Sequence, residues 1–254
     1  MQRLIGILMG AVMLVMSVQG RAADEQLRLY GYAYDLKSGK YLYTEVHHQN
    51  IHDGHWVSGT IDYYAPGGTQ IGHKTLDFSS DPAIPVYRLE QKSQGYIEGI
   101  SAVNPTEISM FKQEDASSAM KTGTIKRVEP MAADSGFHVL IRQHFAELMT
   151  GKKLAFKLAV AGELDSFSFS IQRVADETWM GQPAVHFRVE PDSLLRFLVS
   201  PLNLLYRADD QKLLEYRGIS NIHDPATGKA YDVRIDYYPT KPADAPEKLP
   251  PLTP

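Results

Sequence analysis

His47, His48, His52 and His55 fall within nine residues, with His73 further on. Neutral imidazole ligates zinc or copper, and such sites need three or four converging side chains. On a strand His47 and His48 point to opposite faces, and His52 and His55 flank the following turn, so at most two or three can meet. No HExxH pattern accompanies them. The expectation is a solvated, His-rich hairpin with no metal and no cofactor, and a His-metal enzyme is the outlying alternative.

Other catalytic constellations are weaker. The chain has no Cys, which excludes disulfides, thiolate metal sites, cysteine nucleophiles and a lipid-modified N-terminal cysteine. There is no G-x-S-x-G elbow, and helices do not alternate with parallel strands to mount one, which leaves a hydrolase with little support. Asp62 and Asp236 could in principle act as a glycosidase pair, which needs two acids a few ångströms apart. Each sits in an Ile-Asp-Tyr-Tyr strand, and outward-facing residues beside tyrosines are the simpler reading. Gly67-Gly68 reads as a hairpin turn, not a phosphate loop. The expectation is therefore a protein that is not an enzyme, with no catalytic residues.

Tyrosine carries more information. Fourteen are present, and Tyr30, Tyr32, Tyr41, Tyr43, Tyr63, Tyr64, Tyr237 and Tyr238 lie in strand-like segments. An apolar ring with a polar tip suits a cavity mouth or an interface, although ordinary strand propensity accounts for such residues equally well.

The elements that position these residues are mostly strands. Leu154, Phe156, Leu158 and Val160 alternate with Lys and Ala; after a turn at Ala161-Gly162-Glu163, Phe167, Phe169 and Ile171 alternate with Ser and Gln. Val185, Phe187 and Val189 continue the pattern. Period 2 with one apolar face marks half-buried antiparallel strands. Similar segments occupy 27–34, 40–49, 55–64, 70–78, 86–91, 96–103, 107–112, 124–128, 204–207, 213–220 and 231–238. So many short strands joined by Asp, Gly, Lys and Pro turns predict a mainly β fold, a large curved antiparallel sheet or incomplete barrel.

Residues 135–150 break the rule. Phe137, Leu140, Ile141, His144, Phe145 and Leu148 recur at helical spacing. Asp134 or Ser135 can cap the first amides, and Gly151 can take the left-handed position after the last turn. One amphipathic helix in a β-rich chain needs a sheet to cover, and the concave side of a curved sheet would bury its stripe. A shorter second helix is expected at 193–199, capped by Asp192 and stopped before Pro201.

The ends read differently. A basic start is followed by the apolar run LIGILMGAVMLVMSV, then Gly20 and Ala22 at −3 and −1 of a cut after Ala22, the layout of a secretory signal peptide over 1–22. The run is short of the ~20 residues a membrane-spanning helix wants. Cleavage removes Arg3 and Arg21 and moves the net charge from −4 to −6. This acidic balance argues against a general nucleic-acid binder. The organisation expected is a signal peptide over 1–22, one sheet domain over 23–238, and an extended tail over 239–254 whose six prolines forbid a helix or an interior strand. The product is expected to be periplasmic or secreted, with no transmembrane anchor.

An internal echo links two distant places. Asn50-Ile51-His52-Asp53 precedes Ile61-Asp62-Tyr63-Tyr64, and Asn221-Ile222-His223-Asp224 precedes Ile235-Asp236-Tyr237-Tyr238. The pattern reads either as two hairpins drawing on the same few turn and strand residues or as an ancient repeat. In both readings the two turns are hairpin connections.

Taken in order, these features resemble the lipoprotein-carrier-like class of envelope proteins, the periplasmic carrier and outer-membrane receptor type, with its uncharacterised DUF3108-like relatives. The resemblance rests on export, on strand-rich halves around the helix at 135–150, and on the closing run LLYRADDQKLLEYRGISNIHDPATGKAYDVRIDYY over 204–238. It implies an incomplete barrel with helices closing its concave side, and an acyl chain or envelope lipid or lipoprotein bound in the hollow. The receptor type carries a lipid on an N-terminal cysteine, which this chain lacks, so the soluble carrier is the relevant half of the comparison. The expected lining is the helix stripe Phe137, Leu140, Ile141 and Leu148 with Phe156, Phe167, Phe169 and Phe187. A closed core serving a protein–protein module of the envelope is the alternative.

Overall fold

The computed structural model describes residues 24–192 and 200–237, with Ala243 and Ala245 beyond. The segment 1–22 expected to be a signal peptide, the helix expected at 193–199 and all but two residues of the tail lie outside them. Within them the chain forms a single 15-stranded sheet, an open curved barrel with two helices on its concave side.

The first half is a simple meander: β1 (Asp24–Asp35), β2 (Tyr41–His52), β3 (His55–Tyr64), β4 (Gln70–Asp77), β5 (Val86–Gln91), β6 (Tyr96–Val103), β7 (Glu107–Gln113) and β8 (Lys121–Lys126). The second runs β9 (Met131–Ala133), α1 (Gly136–Gln143), α2 (Phe145–Met149), β10 (Leu154–Val160), β11 (Asp165–Trp179), β12 (Gln182–Pro191), β13 (Leu202–Arg207), β14 (Leu213–His223) and β15 (Ala230–Tyr237). β1 pairs with β15, so the two meanders form one sheet with β8 and β9 at its free edges. Pairing is antiparallel throughout except between β9 and β10, a short parallel strand the alternation pattern does not predict.

The curl brings distant strands into contact. Gln91 on β5 donates to the Asn221 carbonyl on β14 at 2.9 Å, and Gln94 donates to that of Asp224 at 3.1 Å. Across the open edge, a 3-10 turn at Ala161–Glu163 leans on β6 and β7: Lys112 Nζ donates to the Gly162 carbonyl at 2.6 Å. The approach is close: a Cβ on Gly162 would lie 2.5 Å from Glu98 Oε2 and 2.8 Å from the Tyr96 hydroxyl, so those side-chain tips would have to shift.

The predicted single helix is divided. His144 (φ −103°, ψ 12°) interrupts it, leaving α1 and α2 as short segments. The expected side-chain cap is also absent: Asp134 Oδ1 accepts from the Ser135 amide and hydroxyl and not from the first helical amides. The other oxygen of Asp134 is engaged with Lys74 and Asn221, and this tertiary demand outweighs a cap. Gly151 does take the expected left-handed conformation, at φ +86°. No helix among the described residues is long and apolar enough to cross a membrane.

Two interiors result. One cluster, built on the first meander, contains Tyr43, Ile61, Tyr63, Leu76, Tyr87, Leu89 and Ile100. The other gathers Leu140, Ile141, Phe145 and Leu148 of the helices against Phe156, Ile171, Phe187 and Leu204. Tyr216 touches both.

Candidate ligand site in the barrel interior

On β2 the alternation places Tyr43, Glu45 and His47 on the inner face, while Thr44 and Val46 point outward. His47 Nε2 lies 2.9 Å from Glu45 Oε2, and the Tyr237 hydroxyl donates to the same oxygen at 3.2 Å. His47 Nδ1 is buried with no hydrogen-bond partner. The Tyr43 hydroxyl meets Ser220 Oγ at 2.6 Å, and its ring packs edge-on to Tyr63.

Deeper along the wall, Lys74 Nζ is 2.5 Å from Asp134 Oδ2, which also accepts from Asn221 Nδ2 at 2.9 Å. Burial pushes the Asp134 carboxyl up, but the Lys74 ammonium and hydrogen bonds from Lys74 and Ser135 outweigh it and hold the group below the usual carboxylate range. Glu98 accepts from Tyr96 at 2.7 Å and from Tyr87 at 3.4 Å. Burial raises its pKa despite those bonds. Burial also drives Tyr43, Tyr63, Tyr87 and Tyr237 well above the ordinary phenol range, with Glu45 or Glu98 adding to the effect. The phenols are therefore neutral, and Tyr87 and Tyr237 donate to Glu98 and Glu45.

On the helix side the interior turns to phenylalanine. Phe137 stacks on Phe156 with centroids 5.5 Å apart, Phe156 lies 6.0 Å from Phe169, and Phe145 packs edge-on to Phe187 at 5.3 Å. Of the predicted lining, Leu140, Ile141, Leu148, Phe156 and Phe187 are at most 4% exposed and form a sealed floor. Phe137 and Phe169 pack against that floor but stay half-buried. Phe167 is half-buried as well and stands apart from the cluster, paired across the ladder with Leu158.

The two interiors meet around α1 and Tyr216. His138 on α1 stacks on Tyr206, with Nδ1 3.0 Å from the tyrosine hydroxyl. Burial, reinforced by Arg142 and His47, lowers the His138 pKa to about 3, so its ring is neutral near pH 7. His138, Tyr216 and Tyr237 lie deep among protein atoms, yet each keeps surface that water can reach. A concavity of about 230 Å³ sits apart from these residues, among the loops at 36–40, 65–69, 92–95 and 224–229, with Leu42, Ile71, Ile222 and Tyr231 as floor and Gln91 and His223 at its edge.

The histidine hairpin stays dispersed. His47 faces inward, His52 is 2.8 Å from Asp24, and His73 is 2.6 Å from Asp62. Among the described residues no three His, Asp or Glu side chains converge in a way that could hold a metal. Asp62 and Asp236 are not brought together either, since β2 and β1 lie between their strands. Asp236 instead stands across the ladder from Glu215 on the outer face, where burial, opposed by Arg234 and reinforced by Glu215, raises its pKa to about 6.

Both NIHD segments end in hairpin connections, at Asp53-Gly54 and at Asp224 to Lys229. β2 and β14 run in opposite directions, yet in the sheet order β3 and β15 flank them on the same side, and Ile61 and Ile235 both face inward. No rotation relates two such hairpins, so the echo reflects shared turn and strand chemistry.

Sequence reasoning missed Lys74, Asp134, Glu45 and Glu98. The signal for Glu45 was present: it shares the inner face with Tyr43 and His47. Lys74 and Asp134 are sixty residues apart, and only the curl of the sheet makes them partners.

No family model matches the chain, and no curated protein matches it. Its likeness to the DUF3108-like group thus stands on sequence features alone. Among solved structures it is similar to a β-barrel-like protein, a domain of unknown function DUF1849 from Brucella abortus. Identity is 11%, coverage is 85% of this chain and 100% of that one, and the TM-score is 0.48.

Proposed function

We propose that this is an exported, non-enzymatic binding protein that holds an amphipathic molecule between the curved sheet and α1. The observation that carries the reading is the hollow's mixed wall. The half-buried rings of Phe137, Phe167 and Phe169 offer apolar surface beside the deep, water-reachable His138, Tyr216 and Tyr237. An acyl or prenyl chain laid on the phenylalanines would gain about 0.8 kcal/mol per buried CH2. The five sealed residues beneath them serve as a rigid floor.

The polar end of the ligand would face the tyrosine-rich wall. Glu45, Glu98 and Asp134, set against the Lys74 ammonium, disfavour a carboxylate head and suit a hydroxyl, amide or amine. The unpaired His47 Nδ1 offers such a group a hydrogen bond. Interior charges already engaged with one another suit binding better than turnover. The apolar N-terminal run supports export with a cut after Ala22, and the overall order of elements supports kinship with the carrier-like envelope proteins.

The test uses two fluorescent probes, uncharged N-phenyl-1-naphthylamine and anionic cis-parinaric acid. The neutral probe should brighten on binding, the anionic one should bind more weakly, and Phe169→Arg should abolish uptake with circular dichroism unchanged. Failure of both probes, with ligand-free protein in native mass spectra of periplasmic material, overturns the reading. N-terminal sequencing of the exported protein should begin at Ala23.

A further inference from the structure

The outer face of β1 and β2 presents an anomaly. Tyr30 and Tyr32 point away from the interior, as does Tyr41, yet they are only 3%, 1% and 4% exposed. An outward side chain on a sheet is buried only if something lies on top of it. Among the described residues, Ala245 of the tail packs there, 6% exposed in a cluster with Tyr30, Tyr32, Tyr41 and Val46, while Ala243 two residues earlier is exposed.

We propose that this face is a polyproline-recognition groove, and that its occupant is the chain's own segment 239–254. Three observations converge. First, the chemistry fits: Tyr30 and Tyr32 stack with their ring planes 8° apart, and Tyr34 and Tyr41 tilt together at 5.7 Å, with Tyr64 at the margin. Aromatic ridges of this kind accept the flat faces of proline rings, and a polyproline helix leaves its carbonyls free for hydroxyl donors. The Tyr30 hydroxyl is such a donor, buried and without a hydrogen-bond partner. Second, the segment carries the matching composition, six prolines in PTKPADAPEKLPPLTP after Tyr238.

Third, the geometry of exit makes docking easy. The last residue of β15, Tyr237, pairs with Gly31, which lies between Tyr30 and Tyr32 on β1. The tail therefore leaves the sheet beside the groove, and the eight residues to Ala245 reach up to about 25 Å in a polyproline helix. A tether this short gives an effective concentration of order millimolar, so weak proline–tyrosine contacts suffice. The prolines are preordered, which lowers the entropy lost on docking. The inference is independent of any ligand in the interior.

The absence of native cysteine makes a clean test available in the full-length protein. Ala245→Cys and Ala243→Cys each introduce one thiol, whose reaction rate with a disulfide reagent reports access. The thiol at 245 should react at least about tenfold more slowly than the one at 243, as for a segment docked nine-tenths of the time or more. Equal rates would overturn the proposal. In the Ala245→Cys background, adding Pro242→Gly and Pro246→Gly should raise the rate toward that at 243, with the circular dichroism of the sheet unchanged; both positions follow β15 in the sequence. An unchanged slow rate would show burial without proline recognition and would equally overturn it.

Discussion

The two halves of the sheet solve the same problem with different chemistry. The meander of β1–β8 curls on itself and fills its hollow with tyrosines, an ammonium and carboxylates, joined by hydrogen bonds within a strand, as Tyr96 to Glu98, and across the barrel, as Tyr43 to Ser220 and Lys74 to Asp134. The meander of β9–β15 is filled by α1 and α2 and packs phenylalanine on phenylalanine. A helix brings its backbone polar groups already paired, so its apolar stripe can meet an apolar wall and leave nothing to satisfy. Without a helix, the space is spanned by long side chains whose polar tips need partners across the barrel. The two regimes meet at His138, Tyr206 and Tyr216, where a neutral imidazole stacks on a buried phenol.

The largest effects should come from breaking each half on its own terms. Phe187→Ala empties the dry half and should cost about 3–5 kcal/mol in urea unfolding; a loss below about 1 kcal/mol would mean that this half is not close-packed. Lys74→Met leaves the Asp134 carboxylate buried without its counter-ion, for a similar cost of about 3–5 kcal/mol. That deficit should shrink on acidification, as Asp134 takes up a proton, and should shrink in the Lys74→Met/Asp134→Asn double variant. A pH-independent deficit would assign the loss to packing alone.

At the junction of the two halves, the sign follows from His138 being held neutral. Its folded pKa of about 3 lies below the ordinary value near 6.5. The unfolded chain thus binds a proton that the folded chain refuses, and stability falls as pH drops from 6.5 towards 3. His138→Phe, which keeps the stack on Tyr206, should flatten the stability–pH curve in that window by on the order of 2–4 kcal/mol. An unaltered slope would place the titrating group elsewhere. The smallest effect is the loss of a single hydroxyl: Tyr43→Phe should cost about 1 kcal/mol through its bond to Ser220. In the helix-filled half, no comparable hydroxyl bonds hold Phe145, Phe156 and Phe187, and this asymmetry is measurable by double-mutant cycle with Ser220→Ala.

Much of the fold could be read directly from residue types. Alternation at Leu154 to Ile171 and at Val185 to Val189 marked strands, and the stripe Phe137 to Leu148 marked the helical region, because both patterns are local. The break at His144 was not legible, since nothing in the spacing distinguishes one helix from two. The short strand Met131–Ala133 was missed because three residues cannot show a period. The site divides similarly. The structure gathers seven of the eight expected lining residues into one cluster and leaves Phe167 outside it, and which members are sealed and which half-buried depends on how α1 sits in the sheet.

The sequence by itself determined the secondary structure class, the helical region at 135–150, the absence of cysteine chemistry and the placement of His47 and His48 on opposite faces of their strand. These follow from periods of two and 3.6 residues and from composition, which act over a few neighbours. Tertiary structure alone decided that Lys74 meets Asp134, that Tyr43 meets Ser220, that Asp62 and Asp236 stay apart, and that outward tyrosines are covered. Each of these depends on the curvature of fifteen strands and on which edges meet, a sum of small twists that no local stretch of chain encodes.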